Sequence, residues 1–166
     1  MDVEYREYED KAERYAYINE QLDRILEETD DLCAGLANAS ALFDLLMPRL
    51  NWAGFYLMKD GVLKLGPFQG KPAVARIEIG AGVCGTAVKE NRPQIVQDVH
   101  SCCNHIACDM SSASEIVVPI YAGGKIFGVI DIDSPALATF DQEDLAGLQT
   151  AAEKIGAFVQ NCAAVQ

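Results

Sequence analysis

Residues 115–133 read EIVVPIYAGGKIFGVIDID, two runs rich in Val and Ile that flank Ala122-Gly123-Gly124. β-Branched residues favour strands, and a short glycine-rich link between two such runs is typical of a β-hairpin. The stretch therefore predicts paired strands at 115–121 and 125–133. Three carboxylic side chains stand near the ends of these strands: Glu115, Asp131 and Asp133.

Outward from this hairpin, the pattern predicts strands on the N-terminal side and helices towards both ends of the chain. Asp60-Gly61 separates two apolar runs and predicts a second hairpin. The predicted strands are 51–58, 62–68, 76–79 and 94–97, and the predicted helices are 5–28, 31–48, 86–89 and 141–159. These elements predict one α+β domain over residues 1–166, with an N-terminal helix within 1–30 and a largely antiparallel sheet of about six strands.

Composition narrows the range of partners. The chain has 166 residues and a formal net charge of −12, which disfavours nucleic acid and anionic membrane surfaces. No apolar run approaches the roughly 20 residues of a membrane helix. The N-terminus, MDVEYREYEDKAERY, is too acidic for a signal peptide. We therefore expect a cytoplasmic protein.

The six cysteines are the main chemical candidates. Cys33 and Cys162 fall in helical patterns, where packing is the simplest role. Cys84 lies between glycines in GAGVCG, and Cys102, Cys103 and Cys108 lie in a long polar loop at 98–114. A thiol pair such as Cys84 and Cys108 could cycle between dithiol and disulfide, although two half-buried loop cysteines would explain the spacing equally well.

The loop sequence CCNHIAC, residues 102–108, offers sulfur and imidazole ligands but lacks the paired C-x-x-C spacing of a zinc site. We therefore expect no metal. A cationic His105 would lower the pKa of Cys108, whereas nearby carboxylates would raise it, and the sequence leaves this balance open.

The carboxylates suggest what such a thiol would act on. Side chains alternate along a strand, so Asp131 and Asp133 share a face. If Tyr121 pairs with Lys125, Glu115 lies opposite Asp131, and the repulsion of like charges raises the pKa of at least one carboxyl. A protonated carboxyl would help a sulfoxide oxygen to leave as water, and the remaining anions could hold an ammonium group. Solvated strand ends are the alternative explanation.

Aromatic residues lie near the start of the first predicted strand. Trp52, the one tryptophan, and Tyr56 are four residues apart and so share a face of the strand. Two interpretations are open: a core position, or a flat wall that receives a thioether methyl group.

Taken together, the segments NWAGFYL, LGPFQGKPA, GVCGTA, HIACD, SEIVVPI and GVIDIDSP resemble the free methionine-(R)-sulfoxide reductases, which are stand-alone GAF-domain enzymes. The similarity covers residues 51–141 in order. It implies that Cys108 attacks the sulfoxide sulfur and becomes a sulfenic acid. A second thiol then forms a disulfide, which thioredoxin or another dithiol reduces without any other cofactor.

The resemblance also implies roles for the other candidates. Trp52 matches the aromatic residue on the methyl side of the substrate, with Tyr56 beside it. Glu115, Asp131 and Asp133 match carboxylates that bind the ammonium, and Glu115 and Asp133 also assist departure of the oxygen. A homodimer is a further expectation.

One position departs from the family pattern. Relatives commonly carry a resolving cysteine directly after GKPA, where this chain has Val74. Because valine forms no disulfide, the role passes to Cys84, our preferred candidate, to Cys102 or Cys103, or to an external thiol. A non-catalytic GAF sensor of a small ligand and a Cys/His redox or metal switch are the alternative functions.

Overall fold

The structure is a computed structural model and describes residues 3–101 and 111–165. Four residues of interest, Cys102, Cys103, His105 and Cys108, lie outside the described residues. None of the helices within the described ranges combines the length and the apolar character that a membrane span requires.

Six strands form one sheet in the order β3-β2-β1-β6-β5-β4, and every neighbouring pair is antiparallel. The predicted α+β class with about six antiparallel strands is confirmed. The elements are α1 (Lys11–Glu27), α2 (Leu32–Leu46), β1 (Trp52–Lys59), β2 (Val62–Gly70), β3 (Arg76–Ile77), α3 (Gly82–Glu90), β4 (Gln94–Val96), β5 (Ser114–Ala122), β6 (Lys125–Ser134) and α4 (Gln142–Val165), with a 3₁₀ turn at Val99–Ser101.

Two helix boundaries differ from the prediction for local reasons. The first helix begins at Lys11 rather than at residue 5, because the Asp10 carboxylate accepts hydrogen bonds from the backbone N–H groups of Ala12 (2.6 Å) and Glu13 (3.2 Å). The third begins at Gly82 rather than at residue 86. Cys84 therefore lies in the first turn of α3 and not in a loop.

Two further expectations need correction. The strand predicted at 76–79 is only Arg76–Ile77. Cys162 is buried as expected, but Cys33 is exposed, because the buried positions of α2 begin at Gly35 and lie on another face of the helix.

The β5–β6 hairpin is tighter than predicted. A two-residue turn at Gly123-Gly124, with φ of 57° and 76°, joins Ala122 to Lys125. An irregularity after Ile120 then shifts the register further, so that Glu115 pairs with Asp133 and not with Asp131. The total shift is two residues, and a shift of two keeps every side chain on its original face. The predicted partner was wrong, whereas the shared face was right.

The sheet separates two apolar layers. One face packs against α2 and α4, on which α1 packs in turn, through strand residues such as Phe55, Ile116 and Ile130, which are fully buried. The opposite face carries a smaller apolar cluster that includes Trp52, Tyr56, Val117 and Val129 of the sheet and Val83, Cys84 and Ala87 of α3. This second face also carries the three acidic side chains predicted from the sequence.

Candidate active site

The acidic residues and the tryptophan lie in one row across the sheet. Trp52 of β1 pairs with Asp133 of β6, which pairs in turn with Glu115 of β5. Directly opposed residues in antiparallel strands project to the same face, and Asp131 follows two residues away on that face. Trp52, Glu115, Asp131 and Asp133 therefore converge at one end of the face covered by α3.

These carboxylates are not solvated strand ends. Glu115 is 3% exposed, Asp131 is 0% exposed and Asp133 is 1% exposed. Removing ionised carboxylates from water is costly unless cations or hydrogen-bond donors compensate. A cluster of this kind is therefore suited to binding a cationic group or to exchanging a proton.

Cys84 of α3 contributes a thiol to this cluster from the helix that covers the sheet. Its Sγ and one carboxylate oxygen each of Glu115 and Asp131 lie within 4.8 Å of one another, and all three residues are buried. The start of α3 packs closely on the turn that precedes it, because Gly85 has no side chain: a Cβ there would lie 2.3 Å from the Glu78 carbonyl oxygen. A thiol and two carboxylates could also hold zinc, and the metal-free site expected from the sequence stays a prediction.

Trp52 lies in an aromatic stack. Its ring centroid is 5.2 Å from that of Phe68, with planes 13° apart, and 5.9 Å from that of Tyr56, with planes 22° apart. Gly54 makes room for this stack, because a Cβ there would lie 2.3 Å from the Phe68 Cβ and 2.8 Å from the indole ring. The sequence indicated Trp52 and Tyr56 but missed Phe68, although LGPFQG was among the family segments.

The segment after β2 is fastened to this stack. The Trp52 Nε1–H donates to the Lys71 carbonyl at 3.2 Å, and the Tyr56 hydroxyl donates to the Val74 carbonyl at 3.0 Å. Val74 is half-buried and packs against the cluster that contains Cys84. The position where relatives commonly carry a resolving cysteine thus lies beside the candidate site.

Described residues on both sides of the undescribed 102–110 segment meet at this end of the sheet. The Val99 N–H donates to the Ala113 carbonyl at 2.9 Å, and the Ala113 N–H donates to the Ser134 carbonyl at 2.7 Å. The Asn51 carboxamide donates to the Ser112 hydroxyl at 3.0 Å. The described residues that follow the segment with Cys108 therefore lie next to Asn51 and the end of β6, and Val99, which precedes the segment, is bonded to them.

Of the predicted site residues, the structure thus brings together the two aromatic residues, the three carboxylates and Cys84. Cys102, Cys103 and Cys108 lie outside the described residues, and the roles of all of these residues stay predictions. Besides Phe68, the sequence missed Asn51 and Ser112, since neither residue type signals a contact made across 61 positions of sequence.

The comparisons with known proteins agree with this architecture. The family model described as GAF domain matches residues 20–160. The free methionine-R-sulfoxide reductase of Escherichia coli is 48% identical over 84% of each chain. The protein of the same name from Saccharomyces cerevisiae is 47% identical over 72% of this chain and 71% of its own length.

A solved structure extends the similarity to the fold. The free methionine-R-sulfoxide reductase of Neisseria meningitidis, determined in complex with its substrate, is 35% identical and superposes with a TM-score of 0.95 over 99% of both chains. The chain therefore belongs to the GAF domain family and, within it, to the free methionine-R-sulfoxide reductases, which are oxidoreductases.

Proposed function

We propose that this chain reduces the R sulfoxide of free methionine, with Cys108 as the nucleophile and Cys84 as the resolving thiol. The observation that carries the proposal is the buried cluster of Cys84, Glu115 and Asp131, whose ligand atoms lie within 4.8 Å of one another. The chain's membership of the reductase family supports the same substrate.

The charges favour a free amino acid. An α-ammonium group placed among Glu115, Asp131 and Asp133 would gain charge-assisted hydrogen bonds and offset part of the cost of burying these carboxylates. A methionine sulfoxide residue inside a protein has an amide in place of that ammonium. The acidic cluster therefore selects the free amino acid by charge.

The aromatic stack supports the orientation of the substrate. Trp52 is fully buried and is stacked on Phe68 at 5.2 Å. Its apolar ring would lie beside the methyl group of a bound substrate, where sulfur next to an aromatic ring is favourable by about 0.3–1.5 kcal/mol. With the ammonium at the carboxylates and the methyl at Trp52, the sulfoxide sulfur would lie between them.

The reaction then proceeds in two balanced steps. The Cys108 thiolate attacks the sulfoxide sulfur, and a carboxyl such as Glu115 or Asp133 gives a proton to the sulfoxide oxygen. The oxygen then passes to the Cys108 sulfur as its bond to the substrate sulfur breaks, so that methionine leaves and Cys108 becomes a sulfenic acid. The Cys84 thiol next gives its proton to that carboxylate and attacks the Cys108 sulfur. A disulfide forms, the S–O bond of the sulfenic acid breaks, and the hydroxyl takes the relayed proton and leaves as water. Two electrons pass from the two thiols to the sulfoxide, and thioredoxin or another dithiol restores them.

Covalent reach is compatible with this pairing. Four Cα–Cα steps lead from Cys108 to Ser112 and span at most about 14 Å. Ser112 is hydrogen-bonded to Asn51, the neighbour of Trp52, and Cys84 is buried in the cluster that contains Trp52. Cys102 and Cys103 are the other candidates for resolution.

A single experiment tests the assignment. Purified protein is mixed with free methionine-R-sulfoxide and a thioredoxin system, and methionine is measured. We expect turnover by the wild-type chain, none by Cys108→Ser, and one methionine per chain without recycling by Cys84→Ser. N-Acetylmethionine sulfoxide, which lacks the ammonium, should react much more slowly.

Peptide mass spectrometry after one turnover identifies the disulfide. A Cys84–Cys108 bridge supports the proposal, and a bridge to Cys102 or Cys103 contradicts the resolving role of Cys84. Absence of sulfoxide reduction by wild-type protein contradicts the activity itself, and the alternatives would then be a small-ligand sensor or a metal switch. Zinc analysis of protein purified without added metal distinguishes these two.

We also propose a cytoplasmic location, a homodimer, and the absence of nucleic acid and membrane partners. The acidic charge of −12 supports the last of these through repulsion of phosphate groups.

A further inference from the structure

Asn51 connects the tryptophan strand to the segment that returns from Cys108. Its carboxamide Nδ2 donates to the Ser112 hydroxyl at 3.0 Å and approaches the Ser111 hydroxyl at 3.4 Å. Its backbone N–H donates to the Asp133 carbonyl at 3.1 Å. Asn51 thus contacts the acidic strand through its backbone and the returning chain through its side chain.

Lys71 also approaches Ser111. The Lys71 Nζ is 3.5 Å from the Ser111 hydroxyl, while the Lys71 carbonyl accepts the indole N–H of Trp52. The tryptophan and the returning chain are therefore linked through Asn51, its direct neighbour, and through Lys71.

The hydrogen bond between Asn51 and Ser112 joins a buried and well-anchored part of the chain. Ser112 is 1% exposed, and Ala113 and Ser114 are tied to the β6 end by hydrogen bonds of 2.7 Å to the carbonyls of Ser134 and Ala136. The Ser112 hydroxyl is therefore held between the Asn51 carboxamide and a backbone that is bonded to the end of β6. A change at Asn51 should shift the residues that precede Ser112.

We propose that Asn51 is a positioning residue for sulfoxide reduction: its carboxamide, aided by the Lys71 ammonium, holds Ser111 and Ser112, the first described residues after Cys108, close to Trp52. The inference rests on the proposed role of Cys108. It adds a residue that touches neither the sulfoxide nor the thiol and acts through the serines.

The expected consequence lies in the rate of the chemical step. A nucleophile displaced by about 1 Å can lose about 100-fold in rate, while the groups that bind the ammonium and the methyl stay in place. Loss of the Asn51–Ser112 hydrogen bond should therefore lower kcat and leave KM nearly unchanged.

The test is a double-mutant cycle on single-turnover methionine release, measured without external reductant. We expect Asn51→Ala and Ser112→Ala each to slow release about 10- to 100-fold, with a fall of only a few degrees in the unfolding midpoint. The double variant should be no slower than the slower single variant, because both changes remove the same hydrogen bond. Ser112→Thr keeps the hydroxyl and should recover most of the rate, and Lys71→Met should slow release less than Asn51→Ala.

Asn38→Ala is the matched control, because Asn38 is exposed on α2, on the other side of the sheet. The inference is overturned if the fold-loss in rate of the double variant equals the product of the two single losses. Wild-type rates in both Asn51→Ala and Ser112→Ala overturn it as well. A raised KM with unchanged kcat also overturns it. If the wild-type chain releases no methionine, the proposed function fails instead, so the two failures are distinguishable.

Discussion

At position 74 a backbone group and a side chain have separate roles. The Val74 carbonyl accepts the Tyr56 hydroxyl at 3.0 Å, and because every residue type has a backbone carbonyl, a substitution there can keep this hydrogen bond. The side chain packs against the cluster that contains Cys84. A change of side chain there alters the thiol content of the site while the aromatic stack keeps its support.

A thiol at this position should therefore take over resolution. In a Cys84→Ser background, which we expect to release one methionine per chain, Val74→Cys should restore repeated turnover with thioredoxin. Mass spectrometry should then find a disulfide between the introduced thiol and Cys108. Ala75→Cys is the control, because Ala75 is exposed. Equal recovery by both variants would mean that any nearby thiol suffices and that packing against the cluster is irrelevant.

The sequence predicted single residues well where a local rule applied. Alternation along a strand predicted that Asp131 and Asp133 share one face of their strand and that Trp52 and Tyr56 share one face of theirs, whatever the register between strands. It missed Phe68, whose stacking on Trp52 depends on an irregular pairing of β1 and β2 after Gly54. It also missed the Asn51–Ser112 contact, because distant polar contacts follow from the assembled fold and leave no periodic pattern.

Among the elements, α1 and α4 are joined by a charged contact. The Lys11 Nζ is 2.8 Å from an Asp141 carboxylate oxygen and 2.5 Å from one of Asp144. The Tyr15 hydroxyl donates to the other Asp144 oxygen at 3.0 Å, and burial raises the pKa of Tyr15 strongly. The hydrogen bond from Lys11 lowers the pKa of Asp141 from 3.8 to about 2.

Lys11→Met should lower the free energy of unfolding by about 1–3 kcal/mol at neutral pH, because it leaves the buried Asp144 without its cation. The pH dependence comes from Asp141, whose pKa Lys11 lowers: its contribution to stability is fully present above the unfolded pKa and is lost as pH falls through the folded pKa. The difference between wild type and variant should therefore be constant above about pH 5 and should shrink between about pH 4 and about pH 2.

Urea unfolding at several pH values measures this difference. Lys64→Met is the control, because the Lys64–Asp60 pair is exposed and such pairs contribute about 0–1 kcal/mol. A difference between wild type and Lys11→Met that stays constant across the whole acid range would contradict the proposed origin of the effect.

Element boundaries show where sequence reasoning stops. Strands were recognisable from β-branched runs between turn residues, and the 115–133 hairpin alone indicated the sheet. The position of Cys84 was missed because Gly82 and Gly85 disfavour a helix locally, whereas in the fold the Gly85 N–H donates to the Ala81 carbonyl at 3.0 Å and α3 begins at Gly82. Packing against the sheet outweighs the weak helix propensity of these glycines.

For the molecule as a whole, one face of the sheet carries the main hydrophobic core and the other face carries the candidate site. Phe55, Ile130 and Ile132 project towards α1, α2 and α4, while Trp52 and Asp131 project towards α3. Neighbouring residues of one strand therefore belong to different layers, so the same strand contributes side chains to the core and to the candidate site.

Two substitutions in neighbouring positions of β6 should separate these layers. Ile132→Val should lower the free energy of unfolding by about 0.5–1.5 kcal/mol with kcat and KM unchanged. Asp131→Asn should raise KM for the sulfoxide at least about 10-fold, since one charge-assisted bond to the ammonium is lost, without lowering the unfolding midpoint. Steady-state kinetics and thermal unfolding of both variants check this. An unchanged KM in Asp131→Asn would contradict ammonium binding by the cluster.

The hydrogen bond between Val99 and Ala113 also bears on how such a protein can change over evolution. The sheet fixes both ends of the intervening segment, so a longer insert adds only loop-closure entropy, about 0.6 kcal/mol for each doubling of length. Thiols other than the proposed nucleophile Cys108 can therefore be gained, lost or moved between Val99 and Ala113 while the scaffold remains intact.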